Sequence, residues 1–456
     1  MTDPASRTTG GRSRDVLIAV LLVFAAVLFV ERAHENGQLV NTRISRTDQG
    51  AYIKQAIEMQ ATGFSAVNPR NRMPLYPGLL AVFMDKGDIT ANPDRDALAA
   101  AFFDKGKAIN IALAVAVLSL VGVVFYRSFP RHHATNALLF AAFGVLVFKA
   151  PHVQAEVLYY GLSFLAFVLC WRLCGRPRWW VAVLAGVVAG FAHLTKASVL
   201  PGLLVVIVFL PLDGLWARRR DGRRAWGKFV APALVAAAFL ATVWPYISTS
   251  KKIFGHYFYN VNSTFYMWTD SWEEAVSRTR AAGDRKGWPD LPPDELPSLS
   301  NYLNSHTPGQ IVWRVVNGLS LVFQSMRASY GYLWLSLAYV AAAAALCAVK
   351  WRLVWRVVSR RPVPLLAVLA YFVGYYLLYA WYSQIIRGNR FVLALFLPFL
   401  FSVSAVIVTL GPRVRWKWMG RPWDALCAFN CAVSIWLAAE VAVTCLHRIP
   451  ATYGGS

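Results

Sequence analysis

Charge is scarce in this chain, and negative charge is scarcest. Only 15% of the 456 residues are charged, with 23 acids against 46 bases. A soluble globular protein carries about 25% charged residues, so the shortage excludes that class. Cysteine is also scarce. All six cysteines (Cys170, Cys174, Cys347, Cys427, Cys431 and Cys445) lie in apolar runs, and the long polar stretches contain none, which excludes a disulfide framework there. The i, i+4 pairs Cys170/Cys174 and Cys427/Cys431 lack a nearby His or carboxylate to complete a metal site, and they read as small buried hydrophobes. No A-x-A-like cleavage site closes the first apolar run, "VLIAVLLVFAAVLFV", so it reads as an uncleaved span. An internal repeat is lacking too, which weighs against the inverted-repeat plan of many transporters.

What the chain has in abundance is apolar sequence: 57% hydrophobic residues and a mean hydropathy of +0.44. A bilayer core needs roughly 20 apolar residues per helical span, and only helices or closed barrels satisfy their backbone in lipid. The fold class is therefore an all-α polytopic membrane protein. About eleven spans are expected, near 15–33, 106–127, 134–149, 157–174, 179–195, 198–212, 229–247, 330–349, 363–382, 389–410 and 424–446. The net charge of +23 falls largely in short tracts between these runs. This is the orientation signal of a membrane protein rather than a nucleic-acid surface. With the N-terminus inside, "YRSFPRHH", "WRLCGRPR", "ARRRDGRRAWGK", "KWRLVWRVVSRRP" and "PRVRWKWMGRP" all become inner loops, and all are basic. Two long loops, 34–105 and 248–329, then face outside. Helical patterns at 48–60, 74–84 and 309–327 predict amphipathic helices in them. The "GVVAG" at 186–190 lets helices approach closely.

Ionisable residues at a membrane are functional hypotheses by default, and here they gather toward the outer side. Asp48 and Arg72 lie in the first loop, His152 and Glu156 between the third and fourth spans, and His193 and Lys196 between the fifth and sixth. Lys251, Lys252 and His256 follow the seventh; Arg387 and Arg390 join the ninth and tenth. Each has a structural alternative. Asp48 or Thr47 could cap the following helix, Glu156 could cap or snorkel, and Lys196, Arg387 and Arg390 could meet lipid headgroups. His152 and His193 are as readily structural as functional.

The order of these features resembles the GT-C glycosyltransferases that use polyprenyl-phosphate sugars, such as the aminoarabinose transferase and protein O-mannosyltransferase group. The likeness is carried by "TDQGAYIKQA", "NRMPLYPGLLAVF", "PHVQAEVLYYGLSFLAF", "AGVVAGFAHLTKASVLPGLL", "VWPYISTSKKIFGHY" and "IIRGNRFVLALFLPFL". The family often has Asp-Glu where this chain has Asp48-Gln49, and a basic residue where it has Ala51. The resemblance implies a GT-C-like catalytic domain over 1–410, including both outer loops, followed by a basic inner loop and last helix over 411–456. It implies an inner (plasma) membrane enzyme with a periplasmic or extracytoplasmic site. That enzyme would move a sugar from a polyprenyl-phosphate donor, with inversion, to a lipid, polysaccharide or protein acceptor. Asp48 and Glu156 are then the candidate catalytic carboxylates. Arg72, Lys196, Arg387 and Arg390 are candidates for the donor phosphate, and Tyr52, His152, His193 and His256 for other substrate contacts. A divalent cation shared by Asp48 and Glu156 is an open expectation, thin unless the donor adds oxygen ligands. The alternatives are a transporter or flippase for a lipid-linked or sugar-like solute, and a non-catalytic partner that keeps the fold.

Overall fold

The computed structural model describes residues 9–45, 47–65, 70–221, 226–281, 291–329, 333–386, 388–418 and 420–449. Each of the eleven expected spans contains helix. The first is α1 (Thr9–Leu39); the first long loop then carries α2 (Gln49–Ala61), α3 (Leu75–Val82) and α4 (Lys86–Ala91). Next come α5 (Arg95–Ser128), α6 (Arg131–Ala141) with a π turn leading into α7 (Val147–Lys149), α8 (Glu156–Gly175), α9 (Trp179–Thr195), α10 (Leu200–Asp221) and α11 (Gly227–Phe254). The second long loop holds the single turns α12 (Val261–Thr264) and α13 (Trp272–Ala275), then α14 (Leu299–Ser305) and the long α15 (Pro308–Ser329). The chain closes with α16 (Leu333–Val349), α17 (Trp351–Arg360), α18 (Pro362–Tyr382), α19 (Asn389–Leu393), α20 (Phe396–Leu410) and α21 (Ala425–Val443).

This is an all-α polytopic membrane protein. Among the described residues, eight helices are long and apolar enough to cross a membrane, or nine if the bent pair α16–α17 counts as one. The other two expected spans fall short for visible reasons: α9 has 17 residues, and the α6–α7 segment is broken by its π turn. Two features depart from the sequence reading. The inner segment after α16 is itself a helix, α17, turned 90° from its predecessor. The basic 411–424 loop contains a two-stranded antiparallel hairpin, β1 (Arg415–Trp418) with β2 (Arg421–Asp424), and Gly420 has φ +74° in its turn. Asp424 then caps α21 by accepting from the Cys427 N–H at 2.8 Å.

The spans pack closely where side chains are smallest. A Cβ added to Gly186 would stand 2.3 Å from the Val235 carbonyl oxygen, so "GVVAG" lets α9 lie directly on α11. The last helix is tied by polar groups in place of small ones. Asn136 donates to the Asn430 carbonyl at 3.0 Å, and Ser434 donates to Asn136 at 2.9 Å, joining α21 to α6.

Helix direction sorts the loops into two sets. Beginning at Glu156, α8 ends at the basic Arg172–Arg176 stretch; α9 returns from Arg178 to Lys196. Helix α10 leaves again to Arg218–Arg220, and α18 runs from Arg361 to Tyr382. A 20-residue helix spans about 30 Å. Glu156, Lys196 and the residues after Tyr382 therefore share one face, and the basic loops share the other.

Candidate active site

The first long loop is fastened to the segment before α8 by neutral groups. Asn41 and Gln49 exchange amide hydrogen bonds, both at 2.7 Å, and both side chains are fully buried. The Gln49 oxygen also accepts from the Val153 N–H at 2.8 Å, while Asn41 donates to the Pro151 carbonyl at 2.8 Å. Thr47 accepts from Gln154 at 2.7 Å. Below, Asn110 of α5 donates to the carbonyls of Ala150 and His152 at 2.9 and 2.7 Å and accepts from Tyr76 of α3 at 3.2 Å. Gln49, which stands where the resembled family often has Glu, is thus a structural tie. A carboxylate there would meet the Asn41 oxygen and lose one donor.

Between these ties lies Asp48. It occupies the N-cap position of α2, yet its side chain makes no capping bond. Both oxygens turn to arginines instead: Oδ2 accepts from Arg390 at 2.8 Å and Oδ1 from Arg72 at 3.2 Å. Burial alone would raise this carboxyl's pKa. The hydrogen bond and charge of Arg390, then the charge of Arg72, outweigh burial and hold it below the ordinary range. Thr47, just before it, has φ +66°, a left-handed backbone in a β-branched residue. Such a conformation costs about 1–3 kcal/mol and persists only where its surroundings fix it. Here the Gln154 and Gln49 ties do so on either side.

Glu156, the first residue of α8, is 1% exposed. Its Oε1 accepts from Lys196 at 2.8 Å and lies 4.0 Å from the Arg390 guanidinium, while Oε2 makes no hydrogen bond. Arg390 thus stands between the two carboxylates. Lys196 and Arg390 lie over the Phe391 ring, at 5.5 and 5.4 Å. Lys149, at the end of α7, donates to Asn389 at 2.9 Å, one residue before Arg390.

Asp48, Arg72, Glu156, Lys196 and Arg390 thus converge as one cluster from four parts of the chain. Tyr52 sits beside it, buried, in edge contact with Tyr76 at 5.4 Å and beneath the Arg72 guanidinium at 5.5 Å. It supports Arg72 and has little surface of its own to offer. His152 contributes its main-chain carbonyl to Asn110. His193 is 2% exposed, and its ring packs against Phe239, Tyr246 and Phe258. His256 stands exposed, just past the left-handed Gly255 that ends α11. Arg387 lies outside the described residues. Lys149 is the functional candidate that sequence reasoning passed over. The signal was a lysine closing an apolar run seven residues before Glu156. Among the described residues no three His, Cys, Asp or Glu side chains gather to hold a metal. Asp48 and Glu156 are each engaged by a cationic side chain, so these residues do not by themselves make a divalent-cation site.

Among the described residues, the charges at the site are four cations, Arg72, Lys149, Lys196 and Arg390, against two carboxylates. Asp48 is 41% exposed in its side chain, so the cluster opens to solvent at the acid. On the membrane side an apolar groove between α8, α9, α10 and α18 is lined by Ser163, Phe167, Gly202, Leu203, Tyr371 and Tyr375. Ring contacts run from it to the cations: Tyr371–Tyr375 at 4.8 Å, Tyr375–Tyr379 at 5.7 Å and Tyr379–Phe391 at 5.6 Å.

These features define a class: a multi-pass membrane protein with a charged cluster at one face. No family model and no curated protein matches the chain. Among solved structures, it is similar to the archaeal oligosaccharyltransferase AglB from Archaeoglobus fulgidus, solved in complex with an inhibitory peptide and a dolichol-phosphate. The TM-score is 0.54 at 13% identity, over 96% of this chain and 56% of that one. This likeness shows the fold, and the chain spans little more than half the length of that protein.

Proposed function

We propose that the chain is a membrane glycosyltransferase that moves a sugar from a polyprenyl-phosphate donor to an acceptor at the extracytoplasmic face of the plasma membrane. The observation that carries this reading is Arg390, which lies between Asp48 and the Glu156–Lys196 pair in a cluster with more cations than carboxylates. An anion is the ligand such an excess favours, and a single phosphate suits it. The adjoining apolar groove supports a lipid-borne phosphate, since it would receive the tail while the cations hold the head. The archaeal enzyme of the same fold was solved with a dolichol-phosphate, in keeping with that choice. The basic loops on the opposite face support an N-in orientation and an outward site.

The chemistry we propose is a direct displacement. Asp48 is ionised and solvent-reachable, so it serves as the base that takes the acceptor's proton. The acceptor atom bonds to the anomeric carbon from the side opposite the phosphate. The carbon–oxygen bond to phosphate breaks and its electron pair leaves with the phosphate, giving inversion. Arg390, Arg72, Lys196 and Lys149 neutralise the charge that develops on the leaving group. Glu156 holds Lys196 in place.

The test uses purified protein in lipid with a panel of polyprenyl-phosphate sugars, following release of polyprenyl phosphate. Release by the native chain and its loss in Asp48→Asn supports the reading. Solute counterflow in vesicles with no release from any donor would make the protein a transporter instead.

A further inference from the structure

A second binding surface lies on the opposite face, and nothing in the active site requires it. The stretch "WRLVWRVVSR" forms α17 and lies at 90° to the spanning helix α16, and so along the membrane plane. At 100° per residue its apolar side chains fill one arc and Arg352, Arg356 and Arg360 fall together on the other. Leu353 and Val354 pack onto the helical core. Trp351, Trp355 and Val357 do not: they are 61%, 65% and 47% exposed. Tryptophans placed this way beside arginines belong at a membrane–water boundary.

The cations of this helix make only local contacts: Arg352 lies over the Trp351 ring at 5.6 Å and Arg356 donates to the Arg352 carbonyl at 3.4 Å. Among the described residues no ion pair uses Arg352, Arg356 or Arg360. Asp213, the buried acid near this end of α10, is taken by Lys228. Nearby charge is basic on balance: three arginines, Arg218, Arg219 and Arg220, precede one acid, Asp221, at the end of α10. Arg220, the third of them, donates to the main-chain oxygen of Arg360 and joins the two helix ends.

We infer that α17 and the end of α10 form a binding site for anionic phospholipid headgroups on the face opposite the active site. The arginines match phosphate oxygens in charge and geometry, and the tryptophan side inserts beside the same lipids' acyl chains. That apolar side is why the source is a lipid and not a free phosphate. The site does not depend on the glycosyltransferase reading.

The test is lipid retention by the full chain in detergent, with phosphatidylglycerol and phosphatidylcholine offered together and bound lipid counted by native mass spectrometry. The native protein should retain phosphatidylglycerol selectively, and excess inorganic phosphate should not displace it. Neutralising Arg352, Arg356 and Arg360 together to Gln should cut the preference about a hundredfold, at roughly fivefold per surface charge. A matched variant with Arg413, Arg415 and Lys417 changed to Gln, on the hairpin loop, should keep it. Equal retention of both lipids by the native chain, equal loss in both variants, or displacement by inorganic phosphate would overturn the inference. Melting temperature of each variant, read alongside, separates lost binding from lost folding.

Discussion

Two clusters that combine acids, bases and aromatic rings stand at one face of the helical bundle, and they are built on opposite principles. In the second loop Asp270 is fully committed. Its Oδ1 accepts from Tyr302 at 2.9 Å and from Arg314 at 3.0 Å, and its Oδ2 pairs with the His306 ring at 2.8 Å. Arg314 is equally spent: it also donates to the carbonyls of Trp381 and Met267 and lies against the Tyr302 and Trp381 rings, at 4.9 and 4.3 Å. The Asp48 cluster has as many contacts but, among the described residues, unused capacity: cations in excess and one Glu156 oxygen without a hydrogen bond. Contacts alone do not mark a site; leftover charge and leftover hydrogen-bonding capacity do. The second cluster is a clasp that holds α14 and α15 to the end of α18. Gly318 lets α15 come close there, since an added Cβ would lie 2.0 Å from the Ala380 oxygen.

The contrast can be broken by experiment. Asp48→Asn should lower turnover by about 10²–10⁴, the usual worth of a positioned general base, with little change in melting temperature. Near-normal turnover would remove it from the chemistry. Lys196→Ala strands the Glu156 charge and should destabilise the fold by about 3–5 kcal/mol. Adding Glu156→Gln should restore much of the stability, measured by thermal unfolding, but none of the activity. In the clasp the order is reversed. Arg314→Ala should cost about 1–2 kcal/mol of stability and leave turnover per folded molecule unchanged; a large drop in turnover would make the clasp part of the site. The smallest effect is with pH. Because the Asp48 pKa is lowered in the fold, its contribution is present above the ordinary carboxylate range and is lost as pH falls through the depressed value. Between pH 5 and 8 it should add no acid limb to kcat/KM, and a limb near pH 6 that vanishes in Asp48→Asn would contradict the assignment.

Much of this arrangement was legible because long apolar runs and their charged ends are strong signals. The outer-loop helices expected at 48–60, 74–84 and 309–327 are Gln49–Ala61, Leu75–Val82 and Pro308–Ser329, each announced by a 3.6-residue period. The meeting of Asp48 with Arg390 could be suspected only because both sit on one side of the membrane. What stayed hidden depended on three-dimensional pairing. Gln49 looked like a departure from a family pattern, and only its exchange with Asn41 shows what it does. The right-angle turn at Lys350 was masked because the basic stretch after it reads as an ordinary loop. The 415–424 hairpin has four-residue strands, one containing Pro422, too short to carry a period. His193 was ambiguous until its aromatic surroundings were seen.

The left-handed Thr47 has a consequence for engineering. A residue without a side chain would rest easily in that conformation, so Thr47→Gly should match or exceed the native melting temperature, less whatever the freer unfolded chain takes back. It would also surrender the hydroxyl that Gln154 grips, and the acid beside it would wander. A sturdier but slower protein is the expected result: at this position thermostability and aim pull in opposite directions.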